Sequence, residues 1–269
     1  MKLRMFQIDA FTQTRFRGNP AAVCPLDKWL PDSVLQSIAM ENNLSETAFY
    51  VENSHNTYDL RWFTPEVEVD LCGHATLATA FVLAREFCLP GPFVFHTRSG
   101  PLTVTCNADA FVMDFPCQPP IPCDLPDALV EGLDVEIKEV LRAEDYLVVL
   151  ETEAQVRSLV PNHEKFADLD LRGIIVTAPG DKTDFISRWF GIGVGVAEDP
   201  VTGSAHTTLT PYWAERLGKT CLTAKQVSAR SGYLDCELGT GAFTGRVIIR
   251  GRAVKYMDGW IYLDDSLRV

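Results

Sequence analysis

The chain has 269 residues, enough for one or two domains, and 46% of them are hydrophobic, as is typical of a well-packed protein. Its formal net charge of −12 is spread along the sequence and disfavours nucleic acid or an anionic membrane as partner, because both require a basic surface. No apolar run reaches about 18 residues, and residues 1–10 lack the features of a signal peptide, so no membrane span and a cytoplasmic location are expected.

Patterns in the first part of the chain alternate between strands and two helices. Strands are predicted at 6–11, 21–24, 58–63, 93–97, 102–106 and 111–115, and helices at 31–41 and 73–86. Residues 42–51 are predicted to be a loop leading into a strand, with Glu46 at the junction. The helix at 73–86 is apolar on nearly all sides, which indicates burial at the centre of its lobe.

Five prolines between residues 116 and 126 predict a lobe boundary, giving an N-terminal lobe at 1–117 and a C-terminal lobe at 118–259. In the second part, helices are predicted near 127–131 and at 202–217, and helical or mixed segments at 136–143 and 153–159. Strands are predicted at 146–151, 173–178, 184–190, 226–230, 233–238, 244–250 and 260–263. Strand-rich lobes that each hold a buried helix indicate an α+β fold.

One pattern occurs twice. The letters RWF at 61–63 are followed after nine residues by GHA at 73–75, and RWF at 188–190 is followed after twelve residues by GSA at 203–205. The repeat predicts two similar lobes whose helix starts face each other across a cleft. Free backbone N–H groups at helix starts bind anions, so an anionic substrate is expected there. The alternative is that each glycine merely permits a tight turn.

Four titratable side chains are candidates for chemistry. Glu46, at the mouth of a buried strand, is a candidate general base, or else an exposed loop acid or capping residue. His74 at a helix start is expected to be neutral, so that it can hydrogen-bond substrate or shuttle a proton. Asp199 is either functional or an N-terminal capping acid. A structural role is expected for His206.

The cysteines are expected to be free thiols, because the eight of them contain no C-x-x-C pair. The five histidines are scattered, so no metal site is predicted. Cys72 precedes the first helix start, where a thiol can be acidified, and is a candidate base. The equivalent position in the second copy holds Thr202, which disfavours a symmetric two-thiol racemase.

Four motifs together resemble the PhzF (phenazine biosynthesis-like) family. They occur in the same order as in that family and span most of the chain. They are FRGNPAAV at 16–23, NLSETAF at 43–49, LCGHAT at 71–76 and EDPVTGSA at 198–205. RWFTP at 61–65 and LCGHATLA at 71–78 look like its MAWD-binding-protein branch.

The resemblance implies the diaminopimelate epimerase fold, with two pseudo-symmetric lobes, each a barrel-like β-sheet around a central helix. In that fold the final strand, about 260–269 here, can return to the first lobe. The resemblance also implies a cofactor-independent protein, commonly a homodimer, that binds a small anionic metabolite.

By the same resemblance, Glu46, His74 and Asp199 are the predicted catalytic residues. The predicted substrate-binding residues are Gly73, Ala75, Gly203, Ser204 and Cys72. Related epimerases use a second cysteine that this chain lacks, which favours an isomerase. The alternatives are a non-catalytic small-acid-binding or scaffold protein and a racemase or epimerase that uses Cys72.

Overall fold

The computed structural model describes residues 1–264, without the side chain of Ile192. The chain forms two compact units, one made of residues 1–114 and the chain from residue 250 onward, the other of residues 115–249. Residues 265–269 of the predicted final strand lie outside the described residues.

Strands and helices are numbered here in chain order. The strands are β1 (Lys2–Ala10), β2 (Asn19–Leu26), β3 (Glu46–Ser54), β4 (Thr57–Phe63), β5 (Glu68–Val69), β6 (Phe93–Thr97), β7 (Gly100–Asn107), β8 (Ala110–Pro116), β9 (Ile121–Pro122), β10 (Glu139–Arg142), β11 (Tyr146–Val149), β12 (Ile174–Pro179), β13 (Phe185–Phe190), β14 (Cys221–Gln226), β15 (Gly232–Leu238), β16 (Arg246–Gly251) and β17 (Ala253–Tyr262). The α-helices are α1 (Asp32–Asn42), α2 (Gly73–Phe81), α3 (Asp127–Leu133), α4 (Glu153–Ser158) and α5 (Ala205–Leu217).

The sheet of the first unit runs in the order β17-β1-β2-β3-β4-β6-β7-β8. The pairs β2–β3 and β4–β6 are parallel and the others antiparallel. Helix α2 packs against β1, β2 and β3. Its residues from 74 to 80 are all buried, as its nearly all-apolar sequence predicts. The hydroxyls of Thr76 and Thr79 donate to the carbonyls one turn earlier, so these two polar side chains are satisfied inside the core.

The sheet of the second unit repeats this pattern in the order β9-β10-β11-β12-β13-β14-β15. Here β11–β12 and β13–β14 are the parallel pairs. Helix α5 packs against β14 and β15, as α2 packs on its own sheet. The same alternation of parallel and antiparallel pairs in both units is the structural counterpart of the RWF repeat, and the predicted α+β class is confirmed.

The strand register shows which residues of the two units correspond. Thr47 pairs with Phe63 at the end of the first RWF, and Ile174 pairs with Phe190 at the end of the second. The preceding residues, Glu46 and Gly173, are therefore equivalent. A Cβ on Gly173 would lie 2.7 Å from the carbonyl oxygen of Phe190, so this position accommodates no side chain.

Several predicted segments differ from the observed ones. Residues 136–143 contain strand β10, because its backbone pairs with β9 and β11 on its two sides. The strand predicted at 226–230 is wrong: β14 ends at Gln226, since Ser228 turns back to donate to the carbonyl of Pro200. The helix predicted at 73–86 is α-helical only to Phe81 and has π geometry from Val82 to Glu86. The last strand already begins at Ala253.

Gly18 stands in the FRGNPAAV motif, directly before β2, with a left-handed φ of 67°. A Cβ there would lie 2.1 Å from the carbonyl oxygen of Ala10. We expect Gly18→Ala to lower the free energy of unfolding by about 2–4 kcal/mol, because it combines a disfavoured backbone conformation with a clash against main chain. Gly259→Ala, in open space on β17, is the control and should change stability little. Equal denaturation midpoints for the two variants would contradict this expectation.

Candidate active site

The structure brings three of the predicted site residues together in the first unit. Glu46 is the first residue of β3, while Cys72 caps the N-terminus of α2 and His74 lies in its first turn. Glu46 Oε2 lies 3.1 Å from His74 Nε2, and Cys72 Sγ lies 3.4 Å from His74 Nδ1. A carboxylate, a thiol and an imidazole therefore meet at the start of a buried helix.

His74 is held as a neutral imidazole. Its side chain is 5% exposed, and burial lowers its pKa to about 3. The nearby Glu46 carboxylate favours the protonated ring, but burial is the larger effect. The buried Asn19 amide nitrogen lies 3.2 Å from Nδ1, which places the imidazole proton on Nε2, the nitrogen nearer to Glu46. In the sequence Asn19 has the marks of a turn residue only, because its position between a glycine and a strand start gives no signal of this contact.

Helix α2 offers backbone donors beside these side chains. Its first intrahelical hydrogen bond runs from the N–H of Thr76 to the carbonyl of Cys72. The N–H groups of Gly73, His74 and Ala75 precede that bond, as the first N–H groups of any helix do. With the positive end of the helix dipole, they form a site that favours an anion. Gly73 and Ala75 thus occupy the positions that the predicted substrate-binding role requires.

In the second unit, Asp199 belongs to a buried network that fixes the turn before α5. Thr202 Oγ1 donates to Asp199 Oδ2 over 2.5 Å. Gln226 Nε2 donates to the Asp199 carbonyl, and Gln226 Oε1 accepts from the N–H of Thr202, both at 2.8 Å. Because these bonds hold Thr202 in a turn, α5 begins at Ala205 and not at 202 as predicted. Gln226, on β14, was missed because it lies 24 residues from Thr202 in sequence.

Ser204, the N-terminal cap residue of α5, contacts an arginine that the sequence did not single out. The guanidinium of Arg172 donates to Ser204 Oγ at 3.2 Å and to both carboxylate oxygens of Asp145. Burial lowers the pKa of Arg172, but the Asp145, Glu144 and Asp199 carboxylates outweigh it and raise the pKa overall. The start of α5 therefore lies beside a guanidinium that Asp145 holds in place and neutralises.

The RWF repeat has a structural role in each unit. Arg61 binds both carboxylate oxygens of Glu68, and Arg188 binds both oxygens of Glu198. Both arginines lie over the phenylalanine two residues later. Each forked ion pair fastens the acidic linker that leads to the helix start, since a bidentate arginine fixes its partner in direction as well as distance.

The carboxylate, thiol and imidazole donor atoms of Glu46, Cys72 and His74 all lie within 4.8 Å of one another. Such a group can hold a metal ion. Sequence spacing predicted no metal site because Cys72 lies 26 positions after Glu46, and only the folding of β3 beside α2 joins them.

His206, buried on α5, should make stability depend on pH. Its Nδ1–H donates to the carbonyl of Thr202 at 2.8 Å, and burial lowers its pKa to about 4. Because the unfolded chain binds a proton near pH 6.5 that the folded chain takes up only near pH 4, the stabilisation by neutral His206 is present above pH 6.5 and is lost as the pH falls.

In His206→Asn, the stability deficit relative to wild type should shrink by about 2–3 kcal/mol between pH 7 and pH 4. Urea denaturation across this range measures it. His55→Gln, which replaces a histidine on an exposed turn, is the control. A His206→Asn deficit that stays constant with pH, or a deficit of His55→Gln that changes with pH by the same amount, would refute the expectation.

Comparison with known proteins agrees with this architecture. The family described as "Phenazine biosynthesis-like protein" (PhzC-PhzF) matches residues 8–259. A Pseudomonas aeruginosa protein named an uncharacterized isomerase is 54% identical over 98% of this chain and 100% of its own length. The crystal structure of a PhzF-family protein from Enterococcus faecalis has a TM-score of 0.93 at 46% identity, covering 98% of this chain and 100% of that one.

A hydroxyproline epimerase from Agrobacterium vitis shares the fold at 10% identity, with a TM-score of 0.63 over 99% of this chain and 94% of that one. These likenesses confirm the predicted fold. The relatives named as isomerases confirm the predicted enzyme class, an isomerase. Among the described residues, the helices include none with the length and apolar character needed to cross a membrane. The chain therefore belongs to the phenazine biosynthesis-like (PhzC-PhzF) family, whose model matches residues 8–259.

Proposed function

We propose that the protein is a cofactor-independent isomerase that moves a proton between two carbons of a small carboxylate substrate. The observation that carries the proposal is the pairing of Glu46 with the neutral His74 at the start of α2, with 3.1 Å between Oε2 and Nε2. A partly buried carboxylate beside a fixed, neutral imidazole suits general base catalysis.

In the proposed reaction, the substrate carboxylate binds the N–H groups at Gly73–Ala75. Glu46 removes a proton from a carbon next to a carboxylate or carbonyl group and returns it at another carbon. The same N–H groups, with the helix dipole, stabilise the negative charge that develops on the substrate. His74 donates a hydrogen bond from Nε2 to the substrate, and because the ring is neutral this places no positive charge in the buried site. Asp199 remains a predicted catalytic residue, and Gly203 and Ser204 remain predicted substrate-binding residues.

Proton exchange tests the proposal directly. Small carboxylic acids incubated with the protein in deuterated water should exchange a carbon-bound hydrogen, and one of them should form a positional isomer. Nuclear magnetic resonance detects both changes, even for a product whose structure is not yet assigned. Tight, reversible binding of an acid without any exchange would instead identify a non-catalytic binding protein.

A racemase that uses Cys72 is the second candidate, favoured by the 3.4 Å contact between its thiol and His74 Nδ1. A racemase interconverts mirror-image amino acids, and Cys72→Ala would then be inactive. The isomerase predicts that Cys72→Ala retains exchange and yields a positional isomer. Thr202, the counterpart of Cys72, has a hydroxyl in place of a thiol, and this hydroxyl donates to Asp199, so the position gives a racemase no second thiol.

A further inference from the structure

The convergence of Glu46, Cys72 and His74 has a chemical meaning beyond proton transfer. Oxygen, sulphur and nitrogen donors from three side chains lie within 4.8 Å of one another. Zinc accepts all three kinds of donor, and catalytic zinc sites use three protein ligands with a fourth position open to water or substrate.

Zinc bonds of about 2.0–2.3 Å in tetrahedral geometry place neighbouring ligand atoms roughly 3.3–3.7 Å apart. An ion bound to His74 Nε2 has Glu46 Oε2 as its neighbour, 3.1 Å from that nitrogen. Cys72 Sγ lies 3.4 Å from the other ring nitrogen, Nδ1, and the three donors lie within 4.8 Å of one another. A rotation of the Cys72 side chain that moves its sulphur by up to about 1 Å therefore completes the site.

His74 supplies an independent indication. It is 96% buried, and no described group meets its Nε2 with hydrogen-bond alignment, although Glu46 Oε2 is near. When Nε2 binds an ion, Nδ1 carries the proton and faces Asn19, whose amide can present its oxygen as an acceptor. A histidine oriented through its second nitrogen is the usual arrangement at metal sites.

Charge balance also fits. A thiolate and a carboxylate together neutralise a divalent ion, and the imidazole adds no charge, so the ion and its ligands can be buried without net charge.

We propose that Zn²⁺ binds to Glu46, Cys72 and His74 and inhibits the protein, with the ion and the substrate excluding each other. The binding rests on the donor geometry alone. The inhibition rests on the proposed function, because an ion bound to Glu46 occupies the base that removes the proton.

Cobalt(II) is the probe, because a thiolate bound to Co²⁺ gives an intense charge-transfer absorption in the near ultraviolet and tetrahedral Co²⁺ gives visible bands. The parent protein carries Cys88→Ser and Cys221→Ser, which removes the two exposed thiols. It should bind one equivalent of Co²⁺ with both signals, and Zn²⁺ should displace the cobalt.

Cys72→Ser in this parent should remove the charge-transfer band. His74→Gln should weaken binding by more than about tenfold, because loss of a group that only supports a metal ligand already weakens binding by about that much. Cys106→Ser, which removes a half-buried thiol of β7, is the matched control and should leave the titration unchanged. Circular dichroism verifies that each variant is folded. Absence of the band from the folded parent, or its persistence in Cys72→Ser, overturns the proposal.

The two proposals fail differently. If the parent binds one equivalent of Co²⁺ and Glu46→Gln exchanges protons normally, the metal site stands and Glu46 is not the base. Loss of exchange in that variant, without Co²⁺ binding by the parent, would retain the isomerase and refute the metal site.

Discussion

Replacement of Glu46 by glutamine is expected to lower the rate of substrate proton exchange by about 100- to 10,000-fold, the usual contribution of a general base. Glutamine has nearly the shape of glutamate and can still reach His74, but its amide accepts no proton at neutral pH. The loss should therefore fall on turnover, with little change in substrate binding. Deuterium incorporation into the substrate, followed by nuclear magnetic resonance, measures the rate.

The control for this variant lies on the same strand. Glu52→Gln removes an exposed carboxylate of β3, six residues from Glu46, and should leave exchange at the wild-type rate. Both variants should unfold at the wild-type temperature within a few degrees. Normal exchange by a folded Glu46→Gln protein would falsify the assignment of Glu46 as the base.

Arg188→Ala should lower the free energy of unfolding by about 2–4 kcal/mol. Its guanidinium binds both oxygens of Glu198 and also donates to the carbonyls of Val156 and Leu159, so truncation leaves an acid and two carbonyls without their donor. Arg188 and Glu198 are 11% and 25% exposed, so solvent recovers only part of the loss. Urea denaturation monitored by tryptophan fluorescence measures the change.

Two further variants distinguish the contribution of the Arg188–Glu198 ion pair from the effect of truncating any charged side chain. Lys138→Ala breaks a pair with Glu151 in which both side chains are more than half exposed, and it should cost no more than about 0.5 kcal/mol. Combining Arg188→Ala with Glu198→Gln should cost less than the sum of the two single changes, because each removes the same contact. Strict additivity, or a loss no larger than that of Lys138→Ala, would show that the pair contributes little.

The sequence predicted those features of the fold that depend on local pattern. The apolar stretch after Gly73 predicted a buried helix, and the two RWF copies predicted two units of similar construction. It misjudged the start of α5, because Gln226 satisfies the N–H of Thr202 from a distant strand. Local pattern contains no information about such a partner.

The candidate site was predictable in its residue types and not in its contacts. Glu46 and His74 were singled out for separate reasons, a strand mouth and a helix start. Their 3.1 Å separation arises because the sheet places the beginning of β3 beside α2. Asn19 and Arg172 escaped notice because an amide in a turn and an arginine in a loop are common features of protein surfaces. Only the burial of Asn19 and the contacts of Arg172 distinguish them.

The glycine at position 173, the register equivalent of Glu46, bears on the stereochemistry of the proposed reaction. Two bases on opposite faces of a substrate invert a carbon centre, one removing the proton and the other delivering a different one. Main chain and the Trp189 ring fill the space around Gly173, so the second unit offers no carboxylate at the repeated position. A single base returns the proton to the face from which it was taken. The product should therefore form by same-face transfer and retain part of the substrate's original hydrogen isotope.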